Sequence, residues 1–191
     1  MNKFVLALGA AAAMASLAPA QAQTVTYTLD PTHTFVTWEA LHFGTSTSRG
    51  RFDKKEGKIT IDRTARTGSV DITIDMASIS TGVAPFDNHL RSKDFFDVAN
   101  HPTARFQATG FGFEGTQVTS VRGTLTLLGK TQPVELKASR FNCYENPFFK
   151  REVCGGDFET TIQRSQWGST YGLPGIPDNV RLLVQVEAIK Q

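Results

Sequence analysis

Ser69-Val70-Asp71-Ile72-Thr73-Ile74-Asp75-Met76 alternates polar and apolar residues without a break. A period of two puts Val70, Ile72, Ile74 and Met76 on one face and Asp71, Thr73 and Asp75 on the other. That is the pattern of an antiparallel strand with one dry face and one wet face. The same period returns on both sides of this stretch. Residues 58–62 carry Ile59 and Ile61, and residues 179–188 carry Val180, Leu182, Val184 and Val186 on one face. Residues 25–30, 104–113, 117–128, 132–142 and 157–164 read as further strands. Residues 34–43 have large apolar groups on both faces, with Phe35, Leu41 and Phe43 opposite Val36, Trp38 and Ala40. Residues 44–48 are turn material, residues 49–52 begin a return strand, and Gly129-Lys130 reads as a tight hairpin turn.

The alternation stops once, at Pro85-Phe86-Asp87-Asn88-His89-Leu90-Arg91-Ser92-Lys93-Asp94-Phe95-Phe96. Asp87 is expected to cap a short helix here, its carboxylate accepting free N–H groups of the first turn. This block is expected to close one end of the fold. No long amphipathic helix, internal repeat or linker is visible, so the chain reads as one all-β domain of eight or nine strands. A sandwich and a closed barrel both fit. The 14 Phe favour the barrel, since many lie on strands that already have another apolar face. A closed barrel of about eight strands has an interior wide enough for one ligand.

The start of the chain reads as an export signal. Lys3 is basic, residues 4–17 form an apolar run too short to span a bilayer, and Ala20-Gln21-Ala22 supplies a small-x-small cleavage pattern. Residues 1–22 are expected to be cleaved, leaving 23–191 in the periplasm or outside the cell. Lys3 is the only charged residue in the signal, so 19 basic and 18 acidic residues remain, a net charge of +1. That balance gives no bulk attraction to nucleic acid. Cys143 and Cys154 are expected to form a disulfide in an oxidising compartment, worth roughly 3 kcal/mol on the chain-entropy model. Their spacing is not Cys-x-x-Cys, and no histidine lies nearby to suggest a metal.

Several motifs, taken in order, resemble one family. They are Tyr27-Thr28-Leu29-Asp30-Pro31-Thr32-His33, then His42 with Gly50-Arg51-Phe52, then Asp87-Asn88-His89-Leu90-Arg91-Ser92 with Phe95-Phe96-Asp97. Pro102 with Phe106, Gly123-Thr124-Leu125-Thr126 with Gly129, and Arg164-Ser165-x-Trp167-Gly168 complete the set. The chain resembles the YceI-like family of exported polyisoprenoid-binding proteins over almost all of residues 23–191. The resemblance implies a lipocalin-like extended antiparallel β-barrel with one short helical segment near its mouth. It implies a lumen holding a long isoprenoid lipid, such as an isoprenoid quinone or prenyl lipid, with no cofactor, metal or catalytic group. Trp167 stands where the family has a smaller aromatic and is expected to narrow the pocket. Phe86 stands where the family often has arginine, which removes a charge role from that position.

Val36, Trp38, Phe52, Ile72, Ile74, Phe106, Leu125, Val134, Leu136, Phe158, Ile162 and Leu182 lie at phases that face such a tunnel. Periodicity alone would serve a solid core equally well. A polar or anionic head group is assigned to His89, Arg91 and Arg51 at the rim, beside Arg49 and Lys93, since guanidinium forks suit phosphate oxygens. On that reading Arg91→Ala weakens a charged prenyl ligand more than a neutral quinone. His33, His42, His89 and His101 match no zinc pattern and read as local hydrogen-bonding groups. Ser165 has no nucleophile elbow around it, and no pair of carboxylates is singled out by spacing, so the chain does not read as an enzyme. Two other functions fit the same residues. One is a general fatty-acid or amide binder. The other is a secreted interaction module acting through the Cys143–Cys154 loop, whose Tyr144, Phe148 and Phe149 are read here as a lid over the barrel mouth. Transient membrane contact and a homodimer are the remaining partner expectations.

Overall fold

The computed structural model describes residues 24–191, so the export signal read at residues 1–22 lies outside the described residues. The strands are β1 (Val25–Leu29), β2 (Phe35–His42), β3 (Ser46–Phe52), β4 (Lys55–Asp62), β5 (Thr67–Asp75) and β6 (Ile79–Ser80). The helix α1 (Ala84–Arg91) follows, then β7 (Thr103–Glu114), β8 (Gln117–Leu127), β9 (Lys130–Glu145), β10 (Glu152–Gln163) and β11 (Asn179–Lys190). Eight antiparallel strands close a barrel in the order β1-β4-β5-β7-β8-β9-β10-β11, with β11 pairing back onto β1. Closure satisfies every edge except where strands part, which is how an all-β chain avoids exposed edges. From β11 a second ribbon branches through β2 and β3 to β6.

Three local expectations are corrected. β3 begins at Ser46, because Ser46, Thr47 and Ser48 pair with His42, Leu41 and Ala40 despite their turn-like composition. Ladder bonds are made by backbone, so serine and threonine join a ribbon that two partners already define. The hairpin between β8 and β9 turns at Leu128-Gly129, one residue earlier than expected. Both residues have positive φ, 50° and 71°, as a tight hairpin loop requires. Asp87 does not cap α1. Val83 occupies that position, with Pro85 in the first turn, and Asp87 lies inside the helix accepting from Thr81 N–H and Oγ1. It ties β6 to α1 instead of satisfying the helix terminus.

Between β1 and β2 the break at Pro31 is held by Asp30. Thr32 N–H and Oγ1 donate to its Oδ1, and His33 Nδ1 lies 2.8 Å from its Oδ2. Burial opposes ionisation of Asp30, but the hydrogen bonds from Thr32 and His33 outweigh it and hold the carboxyl at about 2. Its folded pKa lies below its unfolded value, so its contribution is complete above about pH 4 and is lost as pH falls toward 2. His33 is raised by the same contact, so its share is complete below the ordinary histidine range and is lost as pH rises. Asp30→Asn is expected to cost about 1–2 kcal/mol at pH 7. Urea titrations at stepped pH should show that deficit shrinking between about pH 4 and pH 2.

One end of the barrel is closed by Tyr27, whose hydroxyl donates to Glu152, while Arg63 Nη2 donates to the other oxygen of Glu152 at 2.6 Å. Beside them Cys143 and Cys154 sit directly opposite each other on β9 and β10 and are joined as a disulfide. Their sulfurs and a Glu152 oxygen lie within 4.8 Å of one another, but sulfurs bonded together offer no thiolate to a metal. At the other end β9 and β10 part. Their pairing stops at Lys137 and Glu159, leaving a polar outer groove between residues 133–137 of β9 and residues 159–163 of β10.

Candidate functional site

Side chains on the inner faces leave two adjoining apolar spaces. The inner chamber has a volume of about 110 Å³ and is walled by residues such as Tyr27, Ile59, Val70, Phe106, Val121 and Phe158. The mouth chamber is larger, about 680 Å³, within the range of small-molecule sites. Its walls include Trp38, Phe52, Phe86, Leu90, Phe95 and Phe96. Val36, Ile74, Leu125 and Leu182 border both spaces and form the waist between them.

All twelve positions phased toward a tunnel border one chamber or the other. The structure adds residues that strand periodicity does not reach. Phe86 and Leu90 are four apart on α1, so they share a face, and Phe95 and Phe96 lie in the non-helical turn that follows the helix. Phe52 and Phe96 meet edge to face at 5.7 Å, and Trp38 meets Phe86 at 6.4 Å. The α1 block thus closes the mouth end, where the sequence puts it. Tyr171, on the loop before β11, completes the closure by packing on both His89 and Phe95.

Polar groups in the mouth chamber are few. Trp38 lies flat on Gly50, where a Cβ would come within 2.6 Å of the indole, so glycine is required there. Among the described residues, Trp38 Nε1 is a buried donor with no hydrogen-bond partner. Arg164 is 6% exposed and also borders the chamber. Its guanidinium donates to the carbonyls of Pro177, Ser169 and Ile176 at 2.8–3.1 Å, which pins the loop carrying Tyr171. Burial pushes this guanidinium below its usual range, opposed by the nearby charge of Asp178. Asp178 is itself held low by hydrogen bonds from the Ser165 hydroxyl and N–H.

Of the three residues assigned to a head group, His89 borders the mouth chamber and Arg51 and Arg91 do not. Arg51 alternates with Gly50 and Phe52, so it projects outward, where it pairs with Asp53 and covers the Phe35 ring. Arg91 donates to the carbonyls of Ala77 and Ile79 and to Asn88. It fastens α1 to β6. Arg91→Ala is therefore expected to weaken charged and neutral ligands alike, by roughly threefold to tenfold, in parallel binding titrations. Trp167 does not narrow either chamber. It lies in the seam between β9 and β10, 1% exposed, its indole N–H donating to the Leu125 carbonyl at 3.0 Å. The aromatic loop after Cys143 is no lid. Successive hairpins of a meander lie at opposite ends, so the β9–β10 hairpin sits away from the mouth, and Phe148 is 91% exposed.

A model of the YceI-like domain matches residues 27–188. A UPF0312 protein of Pseudomonas aeruginosa is 33% identical over 189 residues, covering 97% of this chain and 96% of the relative. Another, from Pectobacterium carotovorum, is 31% identical and covers 100% and 99%. Among solved structures, the YCEI protein of Campylobacter jejuni superposes with a TM-score of 0.70 at 26% identity, covering 79% of this chain and 90% of that one. A polyisoprenoid binding domain from Saccharophagus degradans shares the fold, with a TM-score of 0.62 at 18% identity over 86% and 98%.

Proposed function

This chain belongs to the YceI-like family, and from that premise we propose that it is a non-catalytic carrier or store for a long-chain isoprenoid lipid, working in the periplasm. The supporting observation is the two-chambered lumen, walled almost wholly by apolar side chains, whose spaces share Val36, Ile74, Leu125 and Leu182 as a common wall. Burying a tail there is worth roughly 0.8 kcal/mol per CH₂. The tail runs inward through the waist, and the head group stays in the mouth chamber near Trp38 Nε1 and His89. A polyisoprenoid binding domain among the structural neighbours favours an isoprenoid. The basic start, apolar run and small-x-small pattern favour export, and the disulfide is in keeping with an oxidising compartment.

The narrow inner chamber favours a second reading, a straight-chain fatty acid or amide, because branched isoprene units fill a narrow space less easily. Organic extraction of the gently purified protein, followed by mass spectrometry, separates the two. A stoichiometric prenyl quinone or prenyl phosphate is the expected result. A fatty acid or amide would move the function to general lipid binding. An empty protein that also refuses added quinone would end the carrier reading.

A further inference from the structure

The mouth end carries an uncharged apolar patch. At the mouth, Leu41, Phe43, Tyr171 and Leu173 are 43%, 64%, 46% and 39% exposed, an unusual concentration of large apolar groups on a surface. Leu41, Phe43 and Tyr171 border the mouth chamber, and Leu173 lies on the same loop as Tyr171. The segments that carry them, residues 40–48 and 165–177, contain no Asp, Glu, Lys or Arg. They form one unit, since Phe43 N–H donates to the Gly175 carbonyl at 2.9 Å and the Phe43 ring lies where a Cβ on Gly175 would sit. At the opposite end the β4–β5 turn carries Asp62, Arg63 and Arg66. The β9–β10 hairpin there carries Glu145, Lys150 and Arg151.

We propose that the mouth rim docks on the surface of a lipid bilayer, with Leu41, Phe43, Tyr171 and Leu173 in the interfacial layer. These two uncharged segments lose little hydration on entering that layer, and Lys93 and Asp94 after α1 and Lys130 beside Gly168 bound the patch at the same end. The rim is continuous with the apolar chamber, and this favours a bilayer over a protein partner. A lipid moving between the two would never cross water. Among the described residues no helix is long and apolar enough to cross a membrane, so the docking is by loops at the surface. No ion pair is required, so attachment is insensitive to salt and to the content of anionic lipid. The exposed patch is read from the rim alone, and the choice of a bilayer as its partner rests on the carrier reading above.

Flotation of the purified protein with phosphatidylcholine vesicles, with and without phosphatidylglycerol and at low and high salt, tests this. The expected result is equal binding in all four conditions. Phe43→Ser and Leu173→Ser are each expected to lower the bound fraction about tenfold, and Phe148→Ser to leave it unchanged. Thermal melts of the variants report whether each has folded. Failure of the unaltered protein to float would overturn the proposal. So would loss of binding on Phe148→Ser, or loss in high salt, which would assign docking to the basic aromatic hairpin. A dimer in light scattering that Leu173→Ser dissolves would assign the rim to a second copy of the chain. Leu173 does not border the chamber, so extraction of Leu173→Ser separates the two ideas. A loaded variant that no longer floats supports docking, and an empty protein that still floats overturns only the carrier reading.

Discussion

Trp167→Ala is expected to lower the unfolding free energy by about 3–5 kcal/mol, the range for removing a fully buried large aromatic. The indole fills the seam where β9 and β10 have parted, and its N–H supplies a partner to the Leu125 carbonyl. Alanine leaves a cavity between two strands that no longer share ladder bonds, so the hole cannot close by a small adjustment of their pairing. Trp167→Phe separates the two contributions. It keeps most of the volume and loses the donor, so it is expected to cost about 1–2 kcal/mol. Urea unfolding of both variants decides the matter. Equal small losses would mean that the seam is held by something other than the indole.

The second large effect is on ligand. Leu182→Trp puts a bulky ring into the waist that both chambers share. If it excludes about four methylenes from the inner chamber, affinity for a long prenyl chain falls by about 3 kcal/mol, roughly 100-fold. Overpacking should cost about 1–3 kcal/mol of stability, and the melt reports it. A short-chain analogue that occupies only the mouth chamber should lose less than about tenfold, since it gives up no inner-chamber burial. Displacement titrations with a long and a short prenyl quinone measure both. Equal loss for the two would mean that the tail does not pass the waist.

The barrel and its inner walls were legible because a strand has a period of two. Once Ile72 and Ile74 are placed inward, their partners across each ladder follow, and every wall position read from the sequence lies on a strand. The mouth was less legible. Loop residues such as Tyr171 and the segment around Phe95 have no period, so their direction is set by what they pack against. Phe86 and Leu90 could have been paired by their helical spacing. Arg51 was also readable from parity, since its neighbour Phe52 faces inward, but a guanidinium beside a lipid-binding motif invited a ligand role. Trp167 stands out as a motif residue, but its place in the seam is not readable, because nothing in the residues of β9 and β10 says where their pairing ends. The hairpin aromatics lie at the end away from the mouth because successive hairpins alternate ends, and Leu128-Gly129 turns at the mouth.

β11 has three neighbours, β10 along its length, β1 at Ala188–Lys190 and β2 at Arg181–Gln185. A chain made from its N-terminus therefore presents β1 and β2 long before the strand that joins them exists. β2 can form its hairpin with β3, and β1 can pair with β4, but the other edge of each waits for β11, about 150 residues away. Pairing over such separations is slow to nucleate and leaves ribbons exposed in the interval. The barrel is thus a structure of the finished chain, and a nascent or threading chain stays open until its last strand arrives. What keeps the early strands from neighbouring chains in that interval is a problem the fold hands to the cell.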